Sequence, residues 1–361
     1  MDIKEYLINK KIGDKKIGGK KIGEGGYGCT FIPLLKCKDK PEYISHQSND
    51  LSVSKLIVSK YANIEFSVSK QISKIPLWKN YFIVSESICT PSKQTDKDVE
   101  NCDVLDMKYI ESNYKILNMP YGGISLYKST FDLHSFDFMK FVKHFIEAGA
   151  LLNLFGIVHR DLHDENILVD KYNVPRIIDY NFAIFIEQNI TSANLRHDYT
   201  YHNPQECPDS TLINAVNLGY KSYNVIDTIV NKKPIIQKIV STLGISRQHM
   251  SQSLELFYSK NKDINASDNV EWFKNYWRTI DSWSIGINIV SLIVKMSLWP
   301  QFSETIRKHK HTLFPVLKKM CEVSPSERID CVQALYHLEP NSFIIRKYAT
   351  LWLEKVGNGN I

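Results

Sequence analysis

"IVHRDLHDENILVD", residues 157–170, and "RIIDYN", residues 176–181, set charged and amide side chains at fixed intervals among apolar runs. His159, Arg160 and Asp161 are consecutive. Asn166 lies five positions after Asp161, and Asp179 eighteen after it. Taken singly, an aspartate in a loop is usually a turn residue or a helix cap. Taken together, two carboxylates and an amide at this spacing are the parts that moving a phosphoryl group from ATP needs. One carboxylate orients the attacking hydroxyl and accepts its proton; the other, with the amide oxygen, holds magnesium on the phosphates.

Outward from this set the chain changes character twice. Phe138, Phe141, Val142, Phe145, Ile146, Gly149 and Leu152 keep helical spacing and predict a long helix ending near Phe155-Gly156. Residues 23–125 read instead as short β-type runs: Cys29–Leu35, Leu51–Ser59, Tyr81–Ser87 and Tyr114–Met119. One helix over about 62–75 interrupts them, with Ile64, Val68 and Ile72 on one face. Ile167–Val169 and Arg176–Ile178 are β-like, and the chain beyond is mostly helical. The expected fold class is α+β: a small β-rich N-lobe (about 20–119), a hinge at about 119–125 including Tyr121-Gly122-Gly123, and a larger, mostly helical C-lobe (about 126–340). Residues 341–361 are expected to form a helical tail.

The N-terminal stretch repeats Lys-Lys-Ile-Gly at 10–13, 15–18 and 20–23. A period of five suits neither helix nor strand, since it turns a helix by about 500° and flips a strand's face at each copy. Residues 1–19 therefore read as a basic, repetitive arm. Only the third copy runs on into Gly23-x-Gly25-x-x-Gly28. A strand-like run, Cys29-Thr30-Phe31-Ile32, follows this loop, so the pattern is not a dinucleotide-binding turn, which opens a helix. A glycine loop closing a hairpin lets backbone N–H groups approach phosphates. Glycine hairpins are also common without that role.

With these motifs in place, the chain resembles eukaryotic-type serine/threonine protein kinases over roughly residues 20–340. His159-Arg160-Asp161-Leu162 and Asn166 match that family's catalytic loop, and Asp179-Tyr180-Asn181 stands where the family has Asp-Phe-Gly. Asp281-x-Trp283-x-x-Gly286 resembles the helix that anchors the catalytic loop. Pro325-x-x-Arg328 resembles the late arginine motif, whose partner closes the activation segment; Glu206 in Asn203-Pro204-Gln205-Glu206 is the expected partner. The glycine loop with Cys29, the "MPYGGISL" stretch at 119–126 and a long insert (about 207–270) look like kinases encoded by large DNA viruses.

The resemblance implies ATP and Mg2+ as cofactors, with Mn2+ as an alternative, and protein substrates. It assigns Asp161 as catalytic base, Arg160 and His163 as its companions in the loop, and Asn166 and Asp179 as metal ligands. It assigns nucleotide contacts to Ile22, Gly23, Glu24, Gly25, Gly26, Tyr27, Gly28, Cys29 and Thr30, and to a lysine paired with a glutamate. Lys55 in "LSVSKLIVS" is the chosen lysine, because inside an apolar run it needs a partner or ligand. Lys36 and Lys38 are rivals nearer the loop. Glu65 is the chosen glutamate, only ten residues beyond Lys55. His163 replaces the family's lysine and carries a pH-dependent charge. Asn181 replaces its glycine, and asparagine tolerates a left-handed backbone. These departures keep open a catalytically impaired scaffold or a small-molecule kinase of related fold. Thr191, Ser192, Tyr199, Thr200 and Tyr201 are candidate phosphosites whose charge could pair with Arg160.

The 361 residues are 43% hydrophobic and 23% charged, which excludes a disordered chain. A net charge of +6 with interspersed signs indicates no nucleic acid specifically. Seven cysteines without a C-x-x-C pair are expected to be free thiols in a reducing compartment. No apolar leader opens the sequence, and the greasiest stretch, Ile285–Trp299, is broken by Lys295. The expectation is an intracellular, cytoplasmic protein without a membrane segment, its oligomeric state open.

Overall fold

A computed structural model describes residues 19–39, 42–43, 51–94, 99, 102–132, 134–188, 190–195, 200–260 and 269–361. The basic arm up to residue 18 and Tyr199 lie outside the described residues. The chain divides into two compact units, one within Met1–Trp78 and Ile83–Gly122, the other within Lys79–Phe82 and Gly123–Ile361. The first is β-rich and the second mostly helical.

The first unit is built on six strands: β1 (Lys20–Gly25), β2 (Gly28–Ile32), β3 (Glu42–Tyr43), β4 (Ser52–Val58), β5 (Ser87–Cys89) and β6 (Tyr114–Pro120). They pair antiparallel in the order β1-β2-β4-β6-β5-β3. Helix α1 (Ser59–Ile72) follows β4 with no intervening loop. Ala62 and Phe66 of α1 pack with Ile57 and Leu117 on one face of the sheet. Phe31, Leu56 and Ile116 fill the other. Both faces are covered, which is why consecutive positions, Leu56-Ile57 in β4 and Ile116-Leu117 in β6, are apolar. Gly28 is required by close approach: a Cβ there would sit 2.7 Å from Ile57 Cα.

Two expectations fail in this unit. Tyr81–Ser87 is not a strand; Trp78–Tyr81 form a helical turn and β5 begins only at Ser87. The chain passes from one unit to the other between Phe82 and Ile83, so this apolar run marks burial and not one strand of a sheet. Nor are all cysteines thiols. Cys29 is bonded to Cys102 and Cys37 to Cys89, with Cα atoms 6.2 and 5.8 Å apart. Isolated positions in sequence hid these pairs, because each joins residues more than fifty positions apart. The cysteine argument for a reducing compartment falls with them.

The second unit contains β7 (Ile124–Ser125), α2 (Phe138–Leu154), β8 (Ile157–Val158), β9 (Ile167–Val169), β10 (Pro175–Ile177) and β11 (Ile184–Phe185). Helices follow: α3 (Pro208–Asn217), α4 (Ser222–Lys232), α5 (Pro234–Leu243), α6 (Arg247–Lys260), α7 (Asn269–Tyr276), α8 (Ile280–Met296), α9 (Pro300–Met320), α10 (Cys331–Leu338), α11 (Phe343–Tyr348) and α12 (Thr350–Val356). Asp137 caps α2, its side chain accepting from Lys140 N, and the apolar face read from the sequence is buried. Gly149 lets α2 approach its neighbours: a Cβ there would lie 2.6 Å from Cys331 Sγ. Asn153 ties α2 at both ends of its amide, donating to Arg278 O and accepting from Cys331 N. Trp272 and Phe273 are buried, as core residues. Among the described residues no helix is long and apolar enough to cross a membrane.

Candidate active site

In the first unit the glycine loop is a tight hairpin. Gly25 pairs with Gly28 in register, leaving Gly26 and Tyr27 at the tip. Tyr27 stacks on Tyr61 of α1, ring centroids 3.9 Å apart, and its carbonyl accepts from Val58 N. Ile22, Gly23 and Glu24 lie on β1, and Glu24 is ion-paired with Lys21. Cys29 is 1% exposed and held in its disulfide. Thr30 pairs with Lys55 across β2 and β4. Lys55 Nζ lies 2.7 Å from Glu65 Oε2, and Glu65 is 3% exposed. The short separation of this pair is the direct passage of β4 into α1, which brings Glu65 back over the strand. Lys36 is exposed and outside any strand. Lys38 pairs at the surface with Glu111 at 3.1 Å.

In the second unit residues 159–166 form the loop between β8 and β9. Its frame is Asp281 in the first turn of α8. The Asp281 carboxylate accepts from His159 N at 2.7 Å and Arg160 N at 2.9 Å. Complete burial pushes the Asp281 carboxyl up, and His159 and the two backbone N–H groups oppose that shift. The His159 ring bonds to Ile178 O, and Asn288 of α8 donates to Leu162 O. Arg160 has φ of 69°, a left-handed backbone rare outside glycine. Its guanidinium donates to Asn194 O at 2.9 Å and Leu195 O at 3.2 Å, the end of the helical turn 192–195. Backbone oxygens thus occupy the group that a phosphosite was expected to meet.

Asp161 is held on both oxygens. Gln205 Nε2 donates to Oδ1 at 3.0 Å, and Asn166 Nδ2 reaches Oδ2 at 3.4 Å while bonding Asp161 O at 2.9 Å. His163 Nε2 lies 3.8 Å from Oδ2. The β9–β10 hairpin pairs Ile167 with Ile177, and Ile178 N donates to Asn166 O at 3.0 Å. This register sets Asn166 beside the strand end that leads into Asp179. Asp179, not Asn181, is the left-handed residue, with φ of 63°. Asn181 serves differently: its Nδ2 donates to Asp179 Oδ1 at 2.6 Å, and its Oδ1 is buried with no hydrogen-bond partner among the described residues.

That orphaned oxygen is the observation against which a metal can be tested. The donors that Asp179, Asn166 and Asn181 would offer are all oxygens, the chemistry a hard divalent cation takes. The residues present fit Mg2+ or Mn2+.

The Arg328 expectation is corrected. Arg328 Nη2 lies 2.7 Å from Asp209 Oδ1 and both side chains are 0% exposed. Trp272 Nε1 donates to the other Asp209 oxygen, and Arg328 also bonds the carbonyls of Glu322 and Val323. Glu206 instead accepts from Ser210. The reason is local. Pro208 opens α3, so Asp209 lies in its first turn and faces the core, whereas Glu206 still precedes the helix. Gln205 was not foreseen either; as a neutral residue beside Pro204 it carries no spacing signal.

No family model matches the chain. Over 161 residues, 43% of its length, the chain is 29% identical to the receptor-like serine/threonine-protein kinase SD1-8 of Arabidopsis thaliana, of which it spans 15%. Over that stretch the chain is kinase-like.

Proposed function

We propose that the protein is a serine/threonine protein kinase, transferring the γ-phosphoryl group of ATP to a hydroxyl on a protein substrate. The observation that carries this reading is the Asp161 carboxylate, fixed by two amide donors at the head of the hairpin that leads to Asp179. Asp161 orients the acceptor hydroxyl and takes its proton as the new oxygen–phosphorus bond forms and the bond to the β-phosphate breaks, releasing ADP. Lys55, oriented by Glu65, grips the phosphates, and the backbone of residues 23–28 lies over them. Asn166 and Asp179 hold the metal, which when bound neutralises charge on the phosphates. The tie to virus-encoded kinases rests on the glycine loop with Cys29, the stretch at 119–126 and the long insert at about 207–270.

The test compares purified protein with Asp161→Asn, using labelled ATP, Mg2+ and a generic protein acceptor. Loss of label transfer by roughly a hundredfold or more in the variant is expected. Equal transfer by both proteins would sink the assignment.

A further inference from the structure

Three consecutive backbone carbonyls ahead of α3 are each captured by a side chain. Lys233 Nζ donates to Asn203 O at 2.7 Å, Trp283 Nε1 to Pro204 O at 3.0 Å, and Ser284 Oγ to Gln205 O at 2.8 Å. The segment so fixed aims one group, the Gln205 amide, at Asp161 Oδ1. Trp283 and Ser284 belong to α8, the helix that already frames the loop through Asp281. Lys233 does not. It sits at the Lys233-Pro234 junction between α4 and α5, among the helices that separate α3 from α8, and is 2% exposed. Burial pulls its pKa down to about 8, opposed by Glu206 and Cys207. An ammonium is rarely buried without an acceptor that needs it. Here the acceptor is the first carbonyl of the segment that reaches the proposed base.

We propose, resting on the phosphotransfer reading, that Lys233 is a positioning residue. It pins Asn203 O and so sets residues 203–205 for Gln205 to hold Asp161 Oδ1, which fixes the plane of the carboxylate that takes the acceptor proton. The inserted helices thereby contribute to the reaction without touching substrate or nucleotide.

The test uses Lys233→Met, which keeps the stem and removes the donor, Gln205→Ala, and the double variant. Each single variant is expected to lower kcat roughly tenfold to a hundredfold, because small misplacements of a reacting group cost that much, with KM for ATP unchanged. The double variant is expected to be no worse than the poorer single one, since both act through one contact. Hydrogen exchange of residues 203–206 quickens in Lys233→Met while its thermal midpoint does not fall. Wild-type kcat in Lys233→Met, or losses that simply multiply in the double variant, would overturn the proposal. Should Lys233→Met not fold, Lys233→Gln takes its place. Gln205→Ala also decides alone, because undiminished kcat there leaves the clamp nothing to position. Absence of any transfer by the wild-type protein would instead overturn the kinase reading, and exchange at 203–206 would still report on the clamp.

Discussion

Arg328 and Asp209 face each other at 2.7 Å with no exposed surface, so removing either leaves a charge that water cannot reach. Arg328→Met is expected to lower the unfolding free energy by ~3–5 kcal/mol, and adding Asp209→Asn to recover part of it; denaturant titration reads both. Lys233 makes a prediction of opposite character. Its folded pKa, about 8, lies below the ordinary 10.5. The unfolded chain therefore binds more protons between those values, and stability must rise with pH across that window. Below pH 8 the cost is fully present, roughly 3 kcal/mol. Melting curves from pH 8 to 10.5 should show this rise in the wild type and lose it in Lys233→Met. At this scale, legibility followed chemistry. Asp161, Asn166 and Asp179 stood out because the proposed reaction calls for those groups at set intervals. Gln205, Lys233 and Asp209 could not, because they act through tertiary contacts that any of several residues could supply.

The elements show why spacing alone misleads. Lys55 and Glu65 stand only ten residues apart, and the pairing works because β4 becomes α1 without a loop. Lys55→Ala is expected to weaken ATP affinity strongly, whereas Lys36→Ala and Lys38→Ala leave it unchanged, as titration with labelled ATP can determine. Loss of affinity in Lys36→Ala alone would mean the wrong lysine had been chosen. Long amphipathic helices such as α2 were readable from their period. The run at 81–87 was not, because its apolar residues are buried in a stretch that pairs only at its two ends, Phe82 and Ser87. Helix α8 is buried nearly all round. Its side chains reach the 159–162 loop, the 204–205 carbonyls and, through Ser282, Ile329 O. A helix with so many fixed partners leaves little sequence freedom, and Asp281 with Trp283 was the visible part of that constraint.

Across the molecule, the change from a β-rich to a helical unit was legible because period-2 and period-3.6 patterns separate near Gly122. The cross-links were not, because pairing depends on which strands become neighbours. The two disulfides join residues 73 and 52 positions apart, both within the first unit. The remaining three cysteines, Cys207, Cys321 and Cys331, are buried in the second unit, and burial pushes each thiol well up from its ordinary value. This division leaves the folded protein without an accessible free thiol. A maleimide should attach nowhere on the native chain, three sites, all in the second unit, should open in denaturant without reductant, and four more, all in the first unit, after reduction. Blocking those three thiols first and attaching a fluorophore after reduction would mark the glycine-loop unit alone, with no engineered residue needed.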